Sequence, residues 1–206
     1  MIVFIFKGLR KLYFKIKSIF YTPFSKLLFN LNGVKFSENL KVLGPLKVII
    51  TRRGRVQLGK NLRINSGENY NIIGRQQRTI LWVEGELNIG DNVGMSATAI
   101  ICNHKIEIGN NVIIGGNTVI YDTDFHSLDF SVRGKGKLDK ANASWGKVTI
   151  RDNVFIGAHS TILKGVTIGE NSIVGACSVI SKSIPENEVW AGNPARFIRK
   201  IHSIEI

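Results

Sequence analysis

Residues 148–180 read VTIRDNVFIGAHSTILKGVTIGENSIVGACSVI, and in them Ile150, Ile156, Ile162, Ile168, Val174 and Ile180 stand six apart without a slip. The fourth residue after each is again small or aliphatic: Val154, Ser160, Val166, Ser172, Ser178 and Ile184. A helix period of 3.6 does not produce a strict six, and neither does simple strand alternation; short strands separated by turns do. Small residues and turn formers follow many of the repeating aliphatics, as in IGDN, IGNN, IGGN, IGAH, IGEN and VGAC, where Gly can take positive φ and Asn or Asp can turn the chain. Each hexapeptide is then one side of a prism and three sides make one turn, so the aliphatics point inward and stack on their counterparts one turn away.

Upstream, Val83, Ile89, Met95 and Ile101 keep the period, as do Ile108, Ile114 and Ile120 after one extra residue. Weaker traces, Val42 with Val48 and Leu58 with Ile64, start the coil near residue 40. A chain of 206 residues, 44% hydrophobic, is long enough to bury such a core, and its two cysteines, Cys102 and Cys177, are too few for a disulfide framework. They read as two ordinary buried thiols in a reducing compartment.

The coils at 148–201, VTIRDNVFIGAHSTILKGVTIGENSIVGACSVISKSIPENEVWAGNPARFIRKI, resemble the closing turns of the hexapeptide-repeat acyltransferases, in particular their galactoside, maltose and xenobiotic O-acetyltransferase branch. The resemblance covers roughly residues 40–200 and is most specific at the C-terminal end. It implies an all-β fold, a left-handed parallel β-helix that departs from the usual right-handed crossover. The expected organisation is a basic N-terminal segment over 1–35, a β-helix over 36–185 with a loop inserted at 122–147, and a tail with a short helix over 186–206.

That loop, DTDFHSLDFSVRGKGKLDKANASWGK, interrupts the repeat between Ile120 and Ile150. Long loops on a rigid scaffold usually serve binding or catalysis. His126 falls where a coil edge meets the loop; in the similar acetyltransferases a His at this junction is the general base. An imidazole can take and return a proton near neutrality. Asp122, Asp124 or Asp129 would orient it, although carboxylates at this spacing also serve turns. The implied reaction is direct attack of a sugar hydroxyl on acetyl-CoA, without an acyl-enzyme. Small residues along the coil edges, Gly157, Ala158, Gly175 and Ala176, match the family's path for the CoA arm. Ser181, Lys182, Arg196 and Arg199 are placed for its phosphates, the arginines on a helix that Pro194 opens. Similar enzymes assemble as homotrimers in which the His of one subunit meets the CoA groove of the next.

The acceptor is less marked. Residues 93–104, VGMSATAIICNH, lack the asparagine that the galactoside and maltose branch offers its sugars, which points to another sugar or glycan, contacted by Arg133 and Trp145 in the loop. His104, His126, His159 and His202 show no closely spaced pair, against a zinc site of the gamma-class carbonic anhydrase kind, and no metal is expected. A non-catalytic membrane-associated scaffold is the other alternative.

The formal charge of +13 is concentrated at one end: residues 1–63 hold 14 of the 28 Lys and Arg but only Glu38 of the 15 acids. No nucleic-acid-reading motif accompanies it, so nucleic acid is not an expected partner. Within MIVFIFKGLRKLYFKIKSIFYTPFSKLLFN, Lys7, Arg10, Lys11 and Lys15 share one helical face, while Leu9, Leu12, Ile16, Ile19 and Phe20 lie mostly on the others. The segment is neither a secretory signal nor a spanning helix. It reads as a cap on the hydrophobic end of the coil or a contact in an oligomer, and equally as an anionic-membrane contact through residues 1–30, readings that are compatible with the basic face outward, for a cytoplasmic protein peripheral to the inner face of the membrane.

Overall fold

The computed structural model describes residues 1–71, 73 and 77–201. The coil runs through three parallel sheets, and each turn contributes one strand to each. The first face stacks Lys35–Phe36, Arg55–Leu58, Glu86–Ile89, Lys105–Ile108, Val148–Ile150 and Thr167–Ile168. The second stacks Lys41–Leu43, Arg63–Asn65, Gly94–Ser96, Ile113–Ile114, Phe155–Ile156 and Ile173–Val174. The third stacks Lys47–Ile50, Ile80–Val83, Ala99–Cys102, Val119–Tyr121, Thr161–Ile162 and Val179–Ile180. Ile89, Ile108, Ile150 and Ile168 lie in register on successive turns of the first face, and all are buried. The regular part of the repeat is therefore the core itself. Val154, Val166 and Ile184 and the hydroxyls of Ser160, Ser172 and Ser178 fill the spaces at the corners.

Upstream the period is less regular than the aliphatic spacing implies. Ile100, not Ile101, pairs with Ile120 and is fully buried, while Ile101 is only partly covered. Successive strand residues face opposite ways, so a slip of one position turns a side chain outward.

Between the first and second faces the chain turns at an asparagine on every coil. Asn39, Asn61, Asn92, Asn111, Asn153, Asn171 and Asn187 all have φ between 56° and 60°. Each side-chain amide bonds the next, from Asn39 Nδ2 to Asn61 Oδ1 (3.0 Å) up to Asn171 Nδ2 to Asn187 Oδ1 (2.9 Å). Asn tolerates this backbone better than other residues with a side chain, and its amide is both donor and acceptor.

Two ends depart from the repeat. The helix α1, Ile2–Leu31, closes the first turn: Phe29 is buried with Val34 and Leu40 in the core, and the Thr22 hydroxyl and Val42 backbone are 3.0 Å apart. Phe14 and Tyr21 reach the ring of Tyr70 edge-on. At the other end, among the described residues, no helix follows Pro194. Glu188–Gly192 extends the second face by pairing Val174 with Trp190, and a turn at Gly192 (φ 102°), Asn193 and Pro194, the last through a cis peptide bond, sends Ala195–Lys200 back antiparallel. The open edge of a strand already in the sheet satisfies this backbone, and a helix would leave that edge unpaired.

Candidate active site

The inserted loop is tied at a neck. Thr123 pairs antiparallel with Trp145, the amide of Asp124 donates to Ser144 (2.9 Å) and that of Gly146 to Asp122 (3.0 Å). The amide of Gly165, one coil on, donates to Gly146 (2.9 Å) and fixes the neck to the scaffold. Asp122 is fully buried and accepts from the backbone N–H groups of Asn103, His104 and Lys105 at 2.7–2.8 Å. Its carboxylate holds the corner of the preceding coil. Asp124 pairs with Lys164 Nζ at 2.8 Å. Neither aspartate touches His126 in the way the sequence reading expected, and Asp129 instead holds the amide of Ser131 at 2.8 Å.

The partner of His126 is Asp139, on the short helix α2, Lys137–Ala141. His126 Nδ1 lies 2.7 Å from Asp139 Oδ2; the imidazole is 67% exposed and the carboxylate 4%. Asp139 also accepts from the amides of Ser127 (2.6 Å) and Gly134 (2.8 Å). The hydrogen bond from His126, followed by these two backbone N–H groups, holds its carboxyl down at about 2. An ionised Asp139 makes Nδ1 the protonated nitrogen and leaves the Nε2 lone pair free at the mouth of the loop. That is the tautomer a general base requires. Asp139 escaped the sequence reading because it stands 13 residues from His126 in a stretch without period; the one signal was an acid placed among the glycines and lysines of GKGKLDK.

The remaining candidates divide by position. Trp145 is 58% exposed and its ring stacks on His104 at 4.3 Å, with Phe125 also exposed beside the base. Arg133 is not free for a substrate: Nε donates to Ser127 O (2.8 Å) and Nη2 to Leu128 O (2.6 Å), so it braces the loop. Gly157, Ala158, Gly175 and Ala176 lie at the edge between the second and third faces, whereas His126, Ser181 and Lys182 lie beyond the third face. A Cβ on Gly157 would meet Ala176 N at 2.4 Å and one on Gly175 would meet Ala191 Cβ at 2.7 Å. Their smallness serves the close stacking of the coils. Ala176 and its neighbour Cys177 are exposed, which corrects the reading of Cys177 as buried. Cys102 is buried, and loss of hydration pushes its thiol up to about 12. Arg196 and Arg199 are exposed on the closing hairpin rather than on a helix. Among the described residues no group of three or more His, Cys, Asp or Glu is placed to hold a metal; His202 lies outside them.

Residues 147–182 match the bacterial transferase hexapeptide family (six repeats). The galactoside O-acetyltransferase of Escherichia coli K12 is 40% identical over 103 residues, 50% of this chain and 48% of the relative. Gamma carbonic anhydrase 2 of Arabidopsis thaliana mitochondria is 35% identical over 108 residues, 47% of this chain and 39% of the relative. The chain spans about half the length of the curated relatives it matches. A maltose O-acetyltransferase structure from Clostridium difficile 630 has a TM-score of 0.56 at 28% identity, covering 96% of this chain and 84% of that one. A hexapeptide-repeat acetyltransferase of Vibrio cholerae O1 biovar eltor, solved with acetyl-coenzyme A, has a TM-score of 0.53 at 26% identity, covering 87% and 76%. The fold is the left-handed parallel β-helix of these acetyltransferases.

Proposed function

We propose that the protein is an acetyl-CoA-dependent O-acetyltransferase that acetylates a sugar hydroxyl in the making of a surface polysaccharide or glycolipid. The observation that carries this reading is the His126–Asp139 contact, which leaves Nε2 free on a rigid coil of hexapeptide-transferase repeats. A sugar hydroxyl is a weak nucleophile and a thioester an activated acyl donor, so a positioned base is the main requirement. Nε2 takes the hydroxyl proton as the oxygen bonds to the acetyl carbon. The carbon–sulfur bond then breaks and the proton passes to the CoA sulfur. Asp139 stabilises the imidazolium between these transfers. The exposed ring of Trp145, backed by His104, offers an apolar face for a sugar, and Arg133 acts only by bracing the loop beside it.

The working unit is a homotrimer in the cytoplasm, a compartment that suits the free thiols. The base and the edge of Gly157, Ala158, Gly175 and Ala176 lie on either side of the third face of one prism. A site that unites them is completed by a neighbouring subunit, with Ser181, Lys182, Arg196 and Arg199 supplying phosphate contacts for the nucleotide. On the second face Ile113 and Phe155 pair side by side, 58% and 45% exposed, and suit burial against another copy.

The test is transfer from labelled acetyl-CoA to a panel of free sugars, nucleotide sugars and lipid-linked glycans. His126→Ala should lower kcat by about 10²–10⁴-fold, the range for loss of a general base. Transfer at the wild-type rate by the variant, or none to any acceptor by the wild type, would overturn the reading.

A further inference from the structure

The exposed face of α1 is a feature that the coil and the loop leave without a role. At 100° per residue, Phe6, Leu9, Leu12, Ile16, Ile19 and Phe20 fall within one arc of ~140°. Their exposures run from 48% for Ile16 to 68% for Phe20. Ser25, Phe29 and Thr22, through which the helix joins the coil, lie on roughly the opposite side. The apolar strip therefore points away from the body, and it is longer than the isolated patches a soluble monomer normally leaves bare. Among the described residues no helix is long and apolar enough to cross a membrane.

We infer that α1 docks in the plane of an anionic phospholipid surface, with this strip among the acyl chains and the coil held on the aqueous side. Charge decides between a membrane and a second copy. The helix carries Lys7, Arg10, Lys11, Lys15, Lys17 and Lys26 and no acid. Arg10 and Lys17 border the strip on one side, Lys15 and Lys26 on the other, where long basic side chains lay their stems on lipid and their heads among phosphates. Pairing two such helices would instead bring like charges together. The inference stands on the helix alone and does not depend on the proposed acetyl transfer.

Sedimentation of the full chain with phosphatidylcholine vesicles, with and without phosphatidylglycerol, tests it. Binding should be strengthened by the anionic lipid and should weaken with salt toward the level on phosphatidylcholine alone without vanishing, because the apolar contact is not screened. Leu9→Glu with Ile16→Glu should reduce partitioning by about 100-fold or more, with an unchanged thermal melt because both positions lie far from Phe29. Arg10→Gln, Lys15→Gln and Lys17→Gln together should reduce it by about 100-fold while sparing the strip. Absence of vesicle binding by the full chain would overturn the inference, as would equal binding by the Glu variant. So would a Glu variant that breaks up an oligomer yet leaves vesicle binding intact, since the strip would then belong to a second copy.

Discussion

One carboxylate, Asp139, gathers the ring of His126 and the amides of Ser127 and Gly134, so it fixes both the base and the fold of its loop. An asparagine there presents N–H groups to at least one of these donors and has no charge with which to stabilise an imidazolium. Asp139→Asn should therefore lower kcat on the order of 10–10³-fold with the acetyl-CoA KM nearly unchanged. A rise in KM with kcat preserved would reduce Asp139 to a structural role. The carboxyl titrates at about 2 in the folded loop against an ordinary value of 3.8, so folding favours its ionised form. That stabilisation is complete above the ordinary value and is lost as pH falls from about 3.8 to about 2. Thermal melts across that interval should fall more steeply for the wild type than for Asp139→Asn, and parallel curves would contradict it. His126 stands where the strict period stops, but it is the resemblance to the hexapeptide-repeat acetyltransferases that marks it as a base. Its partner could not be read from the sequence, since only the folded loop brings it near, and the nearer Asp122 and Asp124 were already engaged by Asn103–Lys105 and Lys164.

Among the elements, the coils from 148 onward follow directly from their spelling, because each inward side chain meets the same residue type one turn away. The same logic failed where corners vary in length: nothing local distinguishes Ile100 from Ile101 until the neighbouring strand sets the register. It failed again at Ala195–Lys200, where the proline suggested a helix and the free edge of Glu188–Gly192 selected a strand. The asparagine corner was legible as turn chemistry, but its continuity from coil to coil appears only in three dimensions. Asn171 holds φ 60° and bonds Asn153 and Asn187 at 3.0 and 2.9 Å. Asn171→Ala should cost about 2–3 kcal/mol, from the left-handed backbone and the lost side-chain bonds together. Asn171→Gly keeps the backbone and should cost less. Denaturant titration measures both, and equal stability of the alanine variant and the wild type would show that the ladder contributes nothing.

For the whole molecule, one observation organises the proposed function: no single prism brings its base and its small-residue edge together, because the third face lies between them. A closed ring of three copies repeats one heterologous contact and yields equivalent shared sites. Ala176→Trp would fill the exposed corner on one side of such a site, and His126→Ala would remove the base on the other. Each homotrimer should be inactive. After denaturation and joint refolding in equal amounts, a site works only when an intact base meets an intact edge, which random assembly supplies in about a quarter of cases. Activity should return to about that fraction of the wild-type level and appear in the trimer peak on sizing. If the base and the edge served within one subunit, every subunit in the mixture would carry one defect and activity would stay at zero, even though trimers formed. If the protein sedimented as a fully active monomer, the shared site would fail at its first premise.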